Sequence, residues 1–282
     1  MKISFVVLHY CKADVTIKCV DSILDINCSV VVVDNASPDG SGQKLKKHYQ
    51  HQNNVHVILN NNNLGFASGN NIGYKYAKEE QKAKIIIVVN NDTYISDKAF
   101  AQKILESNYI NSYHIIAPNI INKLGEHQNP FHKSALSKEE IIKGYKTMKV
   151  LRWIYSIPII GTLKLYFHVQ KRKVESFDYR NPQDMIVPHG AAIIYSPLWV
   201  ENEDFAFYPG TFMYVEEELL YYYLMSKGYK TIYAPNIEIH HLEDVSTNTR
   251  FRNIRKKKLF QAKQKTKSYK LLIDLIETDK KN

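Results

Sequence analysis

No uncharged apolar run in the sequence approaches the ~18–20 residues of a membrane-spanning helix. The opening Met1-Lys2-Ile3-Ser4-Phe5 enters a strand pattern directly, without the apolar stretch and small-residue cleavage site of a secretory signal, so a cytoplasmic protein is expected. Cysteine is scarce. Cys11, Cys19 and Cys28 are odd in number, lie early and lack metal-site spacing, which points to free thiols rather than a disulfide framework or a zinc centre. Glycine is missing where a nucleotide fingerprint would need it. The turn after the first strand, Leu8-His9-Tyr10-Cys11-Lys12, has none, and neither Gly-x-Gly-x-x-Gly nor Gly-Lys-Ser/Thr occurs in the chain. Any nucleotide would have to be held by carboxylates and a metal instead.

Negative charge is scarce in one region above all. The chain of 282 residues carries +10, and from Arg250 to Asn282 there are twelve Lys or Arg against three Asp or Glu, a balance of +9. The rest is near neutral. A nucleic-acid binder spreads basic charge over its folded surface, so this asymmetry argues for a membrane-surface or partner-binding extension and against nucleic acid.

What is present is a series of apolar runs that end in polar residues. Ile3 to His9, Ser29 to Val33, Val55 to Leu59 and Ile85 to Val89 read as strands, the second and fourth buried on both faces, with helices between them. Strand, helix, strand implies parallel pairing and a Rossmann-like α/β half. In open α/β sheets ligands sit outside the carboxyl ends of the strands. There the chain places Asp34-Asn35, the run Asn60 to Gly73, and Asn90-Asn91-Asp92-Thr93. Alternation along an extended chain puts Asn90 and Asp92 on one side and Asn91 on the other, a spacing that suits a divalent metal; a strand closing in an Asn/Asp turn explains the same residues. Further on, Met185 to Tyr195 reads as a strand broken by small residues, Thr231 to Ala234 as a short strand, and Glu216-Glu217-Glu218 opens a helix closed by Lys227-Gly228. The apolar segment 151–163, flanked by lysines, fits either a lipid-interface stretch or a buried helix hairpin.

Four stretches together, Val33 to Ser41, Asn63 to Gly73, Asn90 to Thr93 and Glu216 to Glu218, resemble the inverting, GT-A-fold family 2 glycosyltransferases, especially the bacterial rhamnosyltransferase-like branch that builds surface polysaccharides. The resemblance implies an α/β GT-A fold, with a Rossmann-like, mainly parallel sheet, flanking helices and a C-terminal basic helical extension. It further implies a nucleotide-sugar-binding half at 1–121, an acceptor-binding half at 122–245 and a basic helical tail at 246–282.

By the same resemblance, Asp34 receives the donor's pyrimidine base, with Asn35 and the chain near His9 and Tyr10 lining that pocket. Gly65, Gly69 and Asn70 belong to the donor loop, where small residues and a helix amino end admit a nucleotide sugar. Asn90, Asn91 and Asp92 stand where the family carries Asp-x-Asp. Asp92 is the expected ligand of Mn²⁺ or Mg²⁺, with His241 completing the shell. Glu217 is the expected catalytic base, with Glu216 beside it; since helical residues point roughly 100° apart, the three glutamates should not all face one cleft. His189, Gly190 and Ala191 flank the acceptor side. Many relatives carry Arg where Tyr222 or Tyr223 stands.

The expected reaction is transfer of a hexosyl or deoxyhexosyl group from a UDP or dTDP donor to a lipid-linked or oligosaccharide acceptor. The expected place is the inner face of the cell membrane, reached through an anionic surface docked on residues 250–270. A sugar-phosphate nucleotidyltransferase would share the nucleotide half but needs a glycine-rich loop after the first strand, and a non-enzymatic basic binding protein would use the tail alone.

Overall fold

A computed structural model describes residues 1–166, 177–243 and 253–279. The first half alternates β1 (Ile3–His9), α1 (Ala13–Leu24), β2 (Ser29–Asp34), α2 (Ser41–His48), β3 (Val55–Leu59), α3 (Phe66–Glu79) and β4 (Ile85–Asn90). The chain continues through β5 (Thr93–Tyr94), α4 (Phe100–Glu106), β6 (Ile115–Asn122), α5 (Lys138–Ser156), α6 (Pro158–Tyr166), β7 (Gln183–Asp184), β8 (Ala192–Tyr195), α7 (Pro197–Asn202), α8 (Glu216–Ser226), β9 (Thr231–His241) and α9 (Ile254–Asp279). The strands form one sheet in the order β3-β2-β1-β4-β8-β6-β9-β5, with β7 on β9. β1 to β4 are parallel, as are β6 and β9, while β8 runs antiparallel between β4 and β6 and joins the two halves of the sheet.

β-branched side chains on both faces of β1, β2 and β4 explain the layering. Phe5, Val7, Val30, Val32, Ile85 and Ile87 pack toward α1, α2 and α4, whereas Val6, Val31, Val33, Ile86 and Val88 pack toward α3, α7 and α8. Each such side chain contributes about 1.5–3 kcal/mol on burial. Helix α3 lies close on the sheet because it is notched. A Cβ on Gly73 would come 2.4 Å from Val6 Cγ1, and one on Gly69 2.5 Å from Leu8 Cδ1.

Polar ties fasten α3 to the later chain. Asn71 donates to the Phe207 carbonyl at 2.8 Å and accepts from the amides of Ala206 and Phe207 at 2.9 Å each. Tyr74 donates to the Glu203 carbonyl at 3.2 Å.

Helices α5 and α9 pair antiparallel, with Lys138 against Glu277, Gly144 against the Tyr269 ring and Arg255 donating to the Tyr155 carbonyl. A Ser137–Glu140 capping box starts α5. Ile141, Val215, Leu219, Leu272 and Ile276 form the cluster that seats α9 against α5 and α8.

Several expectations change. Met185 to Ala191 is an irregular loop and only Ala192–Tyr195 is strand, because Pro188 cannot donate to a ladder and Met185 takes a positive φ. Thr231 to His241 is one strand, which carries Pro235 through an irregularity in its pairing with β6 between Pro118 and Asn119. Pro158 splits the apolar segment 151–163 into the end of α5 and the start of α6, and its outer face is exposed. The basic extension is helical but packed, with Ala262, Thr266, Ser268 and Leu272 buried. The expected contacts of Arg250 and Arg252, and residues 244–249 at the expected boundary, lie outside the described residues. The three cysteines are free thiols.

Candidate active site

A cleft of about 640 Å³ opens over the carboxyl ends of β1, β2 and β4. Leu8 and Tyr10 line it from β1 and the loop beyond, Asn35 from the end of β2, and Asn90 and Asn91 from the end of β4. Asn35 folds the loop before α3 over this wall: it donates to the Gly65 carbonyl at 2.9 Å and accepts from the Leu64 amide at 2.9 Å. Gly65 has φ +84°, and a Cβ there would meet the Phe212 carbonyl at 2.1 Å, while Phe66 donates to the same carbonyl at 2.7 Å. Only glycine fits this contact between the loop before α3 and the segment leading into α8.

The opposite wall is the amino end of α8. Tyr214 and Val215 precede it at φ +76° and +70°, left-handed conformations that cost non-glycine residues about 1–3 kcal/mol each. Packing of Val215 against Leu219 and Leu272 holds the turn. The turn brings Glu216, Glu217 and Glu218 all onto the cleft wall, against the expectation from helical spacing, because the cavity wraps the helix end rather than one side of it.

The three carboxylates differ sharply. Glu216 is 4% exposed, its Oε1 has no hydrogen-bond partner among the described residues, and burial, followed by the charge of Glu217, pushes its pKa up to about 8. Glu217 accepts a hydrogen bond from the Gly190 amide at 3.3 Å, and burial together with the charge of Glu218 raises its pKa above the ordinary carboxylate range. A Cβ on residue 190 would lie 2.8 Å from Glu217 Oε1, so Gly190 is what leaves this carboxylate its place. Glu218 is paired with His132 Nε2 at 3.2 Å.

The buried Glu216 gives a prediction. The folded chain holds this proton up to about 8 whereas the ordinary carboxyl releases it near 4.5, so the native state binds the extra proton and stability falls as pH rises through that interval. Glu216→Gln should therefore melt higher than the parent above pH 8, by about 1–3 kcal/mol, and equal it near pH 4 in differential scanning calorimetry. Equal melting at both pH values would contradict the buried, uncharged carboxyl.

The remaining expected residues divide. Tyr10, Asn35, Gly65, Asn90, Asn91, His189, Gly190, Ala191, Glu216 and Glu217 line the cleft; His9, Asp34, Gly69, Asn70, Asp92 and His241 are not among its lining residues. The His9 ring is fully buried between Thr16 and Ser41, and burial lowers its pKa. Asp34 is 6% exposed and accepts from the Ser37 amide at 3.2 Å. Gly69 supplies the close approach of α3, and Asn70 donates to the Phe66 carbonyl at 3.0 Å as part of α3 itself. Tyr222 donates to the Leu136 carbonyl and Tyr223 to Glu203.

Asn90 and Asp92 do not project together. The chain turns after β4, so Asn91 reaches the cleft and donates to Thr16 at 3.0 Å, while Asp92 meets His241 Nε2 at 3.2 Å. His241 Nδ1 is held by Gln128 at 2.8 Å, and the His189 ring lies 6.1 Å from the His241 ring. The described residues contain no cluster of three His, Cys, Asp or Glu suited to a metal. The Asp92 carboxylate, next in sequence to the cleft-lining Asn91, and the His241 imidazole would suit Mn²⁺ or Mg²⁺, ions whose remaining ligands are commonly water and substrate phosphate.

Sequence reasoning missed the roof. Phe260, Lys265 and Tyr269 of α9 line the cleft, joined by Phe131, His132 and Leu136. Lys265 Nζ lies 5.4 Å from the centre of the Tyr214 ring, and burial lowers its pKa. The signal was in the small buried residues Ala262, Thr266 and Ser268 interleaved with the lysines, which mark a packed face rather than a solvated one.

This sheet, with its cleft over the parallel strand ends and an acid-headed helix closing it, is the GT-A fold. Solved structures show the same architecture. S. aureus TarS 1-349 in complex with UDP-GlcNAc superposes with a TM-score of 0.54 at 15% identity, covering 89% of this chain and 62% of that one. GalNAc-T7 with UDP, GalNAc and Mn²⁺ gives 0.53 at 14% identity, covering 87% and 44%. The chain belongs to glycosyl transferase family 2, whose family model matches residues 4–168. The low-salt glycan biosynthesis hexosyltransferase Agl10 of Haloferax volcanii is 29% identical over 123 residues, 44% of this chain and 38% of that protein.

Proposed function

We propose that the chain is an inverting glycosyltransferase that moves a hexosyl or deoxyhexosyl group from a UDP or dTDP donor to a lipid-linked saccharide in bacterial surface polysaccharide synthesis, as in the rhamnosyltransferase-like branch. The observation that carries the reading is Glu217: a carboxylate with a raised pKa, oriented by the Gly190 amide, across the cleft from the polar strand ends. The solved neighbours support the donor class, since the TarS structure holds UDP-GlcNAc and the GalNAc-T7 structure UDP, GalNAc and Mn²⁺.

Residues 1–121 supply the donor side and 122–245 most of the acceptor side. Tyr10 and Asn35 flank the nucleotide, and Asp34, steadied by Ser37 behind them, accepts from the base N–H. Gly65 and the amino end of α3 admit the diphosphate. The acceptor enters past His189, Gly190 and Ala191 under Phe260 and Tyr269. Glu217 takes the proton of the acceptor hydroxyl as its oxygen bonds to the anomeric carbon; the bond from that carbon to the diphosphate oxygen breaks on the opposite face, which inverts the centre. Glu216, protonated at neutral pH, spares the site a third negative charge beside Glu217 and Glu218. Asp92 and His241 would hold Mn²⁺ or Mg²⁺. When bound, that ion neutralises the departing diphosphate.

A thermal-shift screen of UDP-, dTDP- and GDP-sugars with and without Mn²⁺ tests the donor assignment. Stabilisation by UDP or dTDP forms is expected, of about 2.7 kcal/mol at a hundredfold excess over Kd. Stabilisation by GDP-sugars alone, or by none, would overturn the role given to Asp34.

A further inference from the structure

The two segments that sequence reasoning left apart, the apolar stretch near 151–163 and the basic helix beyond 250, meet in the structure. Arg255 donates to the Tyr155 carbonyl at 2.6 Å, and a Cβ on Gly161 would lie 3.0 Å from Tyr155 Cα and 3.1 Å from Arg255 Cδ. The start of α9, the end of α5 and the start of α6 therefore form one corner. Its outer surface is apolar to an unusual degree. Val150 is 56% exposed, Trp153 62%, Ile159 76%, Ile160 43% and Ile254 65%, five of the twelve large apolar side chains exposed among the described residues.

The helix geometry shows why these side chains are out. Gly144 and Tyr155 face α9, and at roughly 100° per residue Lys146, Val150 and Trp153 fall on the opposite side of α5. The same face carries the exposed Lys143 and Lys149, with Arg152 beside them. On α9, Lys256, Lys263 and Lys267 share an exposed stripe, spaced seven and four residues apart. Residues 141–162 and 253–273 together hold twelve cations and not one carboxylate. Apolar knobs set among cations, with no acid in either segment, complement a bilayer interface that offers acyl chains beneath anionic headgroups.

We propose that this α5–α6–α9 corner is a docking surface for anionic lipid bilayers. It replaces the simple tail contact expected from the sequence. Trp153, Ile159 and Ile160 enter the interface, and Lys146, Lys149 and Lys256 meet the headgroups. Phe260, Lys265 and Tyr269 of the same α9 line the cleft, so docking sets the acceptor side of the cleft beside the membrane. The surface stands on its own geometry; its purpose, delivery of a lipid-linked acceptor, rests on the proposed function.

The chain carries its own reporter. It has two tryptophans, and Trp199 is fully buried, so a change in emission on adding vesicles reports Trp153. The full chain is mixed with phosphatidylcholine vesicles, with and without phosphatidylglycerol, and binding is followed by emission and co-sedimentation. The expected result is a blue shift and pelleting with the anionic vesicles only. Trp153→Ser combined with Ile159→Ser, and separately Lys146→Glu combined with Lys149→Glu, should each weaken pelleting by roughly tenfold or more, whereas Leu124→Ser, at a residue 81% exposed elsewhere, should not.

Unshifted emission, or variants that pellet like the parent, would overturn the surface. So would light scattering that shows a dimer dissolved by Trp153→Ser in a chain that ignores lipid, which would assign the corner to self-association. The same samples are melted with UDP-sugar. A chain that binds vesicles and ignores every nucleotide sugar keeps the surface and sinks the transferase reading, and the reverse pair of results does the opposite.

Discussion

Glu217→Gln is expected to lower the turnover of sugar transfer by about 10²–10⁴-fold while leaving donor affinity unchanged. The substitution is nearly isosteric and keeps an oxygen to accept from the Gly190 amide, so the wall of the cleft stays in place. It removes the one property the reaction needs, a basic lone pair beside the acceptor hydroxyl. The pH dependence provides a second readout. Burial and the charge of Glu218 hold the Glu217 pKa above its ordinary 4.5, so the acid limb of kcat in the parent should lie above that value, with turnover falling as pH drops through it. That limb should vanish from the residual activity of Glu217→Gln. Full turnover by the purified variant would remove Glu217 from the chemistry.

The second large effect belongs to Asp92. In Asp92→Ala, transfer should fall to background, and the gain in UDP affinity on adding Mn²⁺ should disappear from isothermal titrations. The fold should survive. The Asp92 carbonyl still receives the Leu242 amide at 2.8 Å, and His241 keeps its contact with Gln128. The cost in stability is that of one broken buried pair with His241, about 1–3 kcal/mol. Asp92→Asn separates charge from hydrogen bonding, since the amide can still accept at its oxygen but offers the ion a neutral ligand. A variant without the side-chain carboxylate that still shows the full Mn²⁺-dependent gain would move the ion elsewhere in the cleft.

What could be read from the chain followed from how strongly each local pattern constrained the backbone. β1, β2 and β4 were legible because runs such as Ile85 to Val89 suit little other than a strand buried on both faces, and their polar ends marked where a ligand would sit. Strict alternation past Asn90 was misleading, since the chain turns there and sends Asp92 to His241. Glu218 was set aside by a spacing argument that holds for a helix side and fails at a helix end. The α9 helix was expected and is present, but its packing was not legible: lysines dominated its composition, while the packing information sat in a few small residues between them. No local signal told Pro235 to be carried through β9, because that depends on the partner strand, β6.

The ties from α3 to the later chain have a consequence for protein engineering. Asn71 satisfies three backbone groups of Ala206 and Phe207, and Gly65 leaves room for Phe212, so the loop before α3 is fitted to the backbone that leads into Glu216. A chimera that grafts residues 1–121 of a relative onto this chain would set a foreign α3 against those backbone groups and a foreign loop against that carbonyl. The cleft of this scaffold is therefore better altered by point changes along its walls than by recombining whole halves.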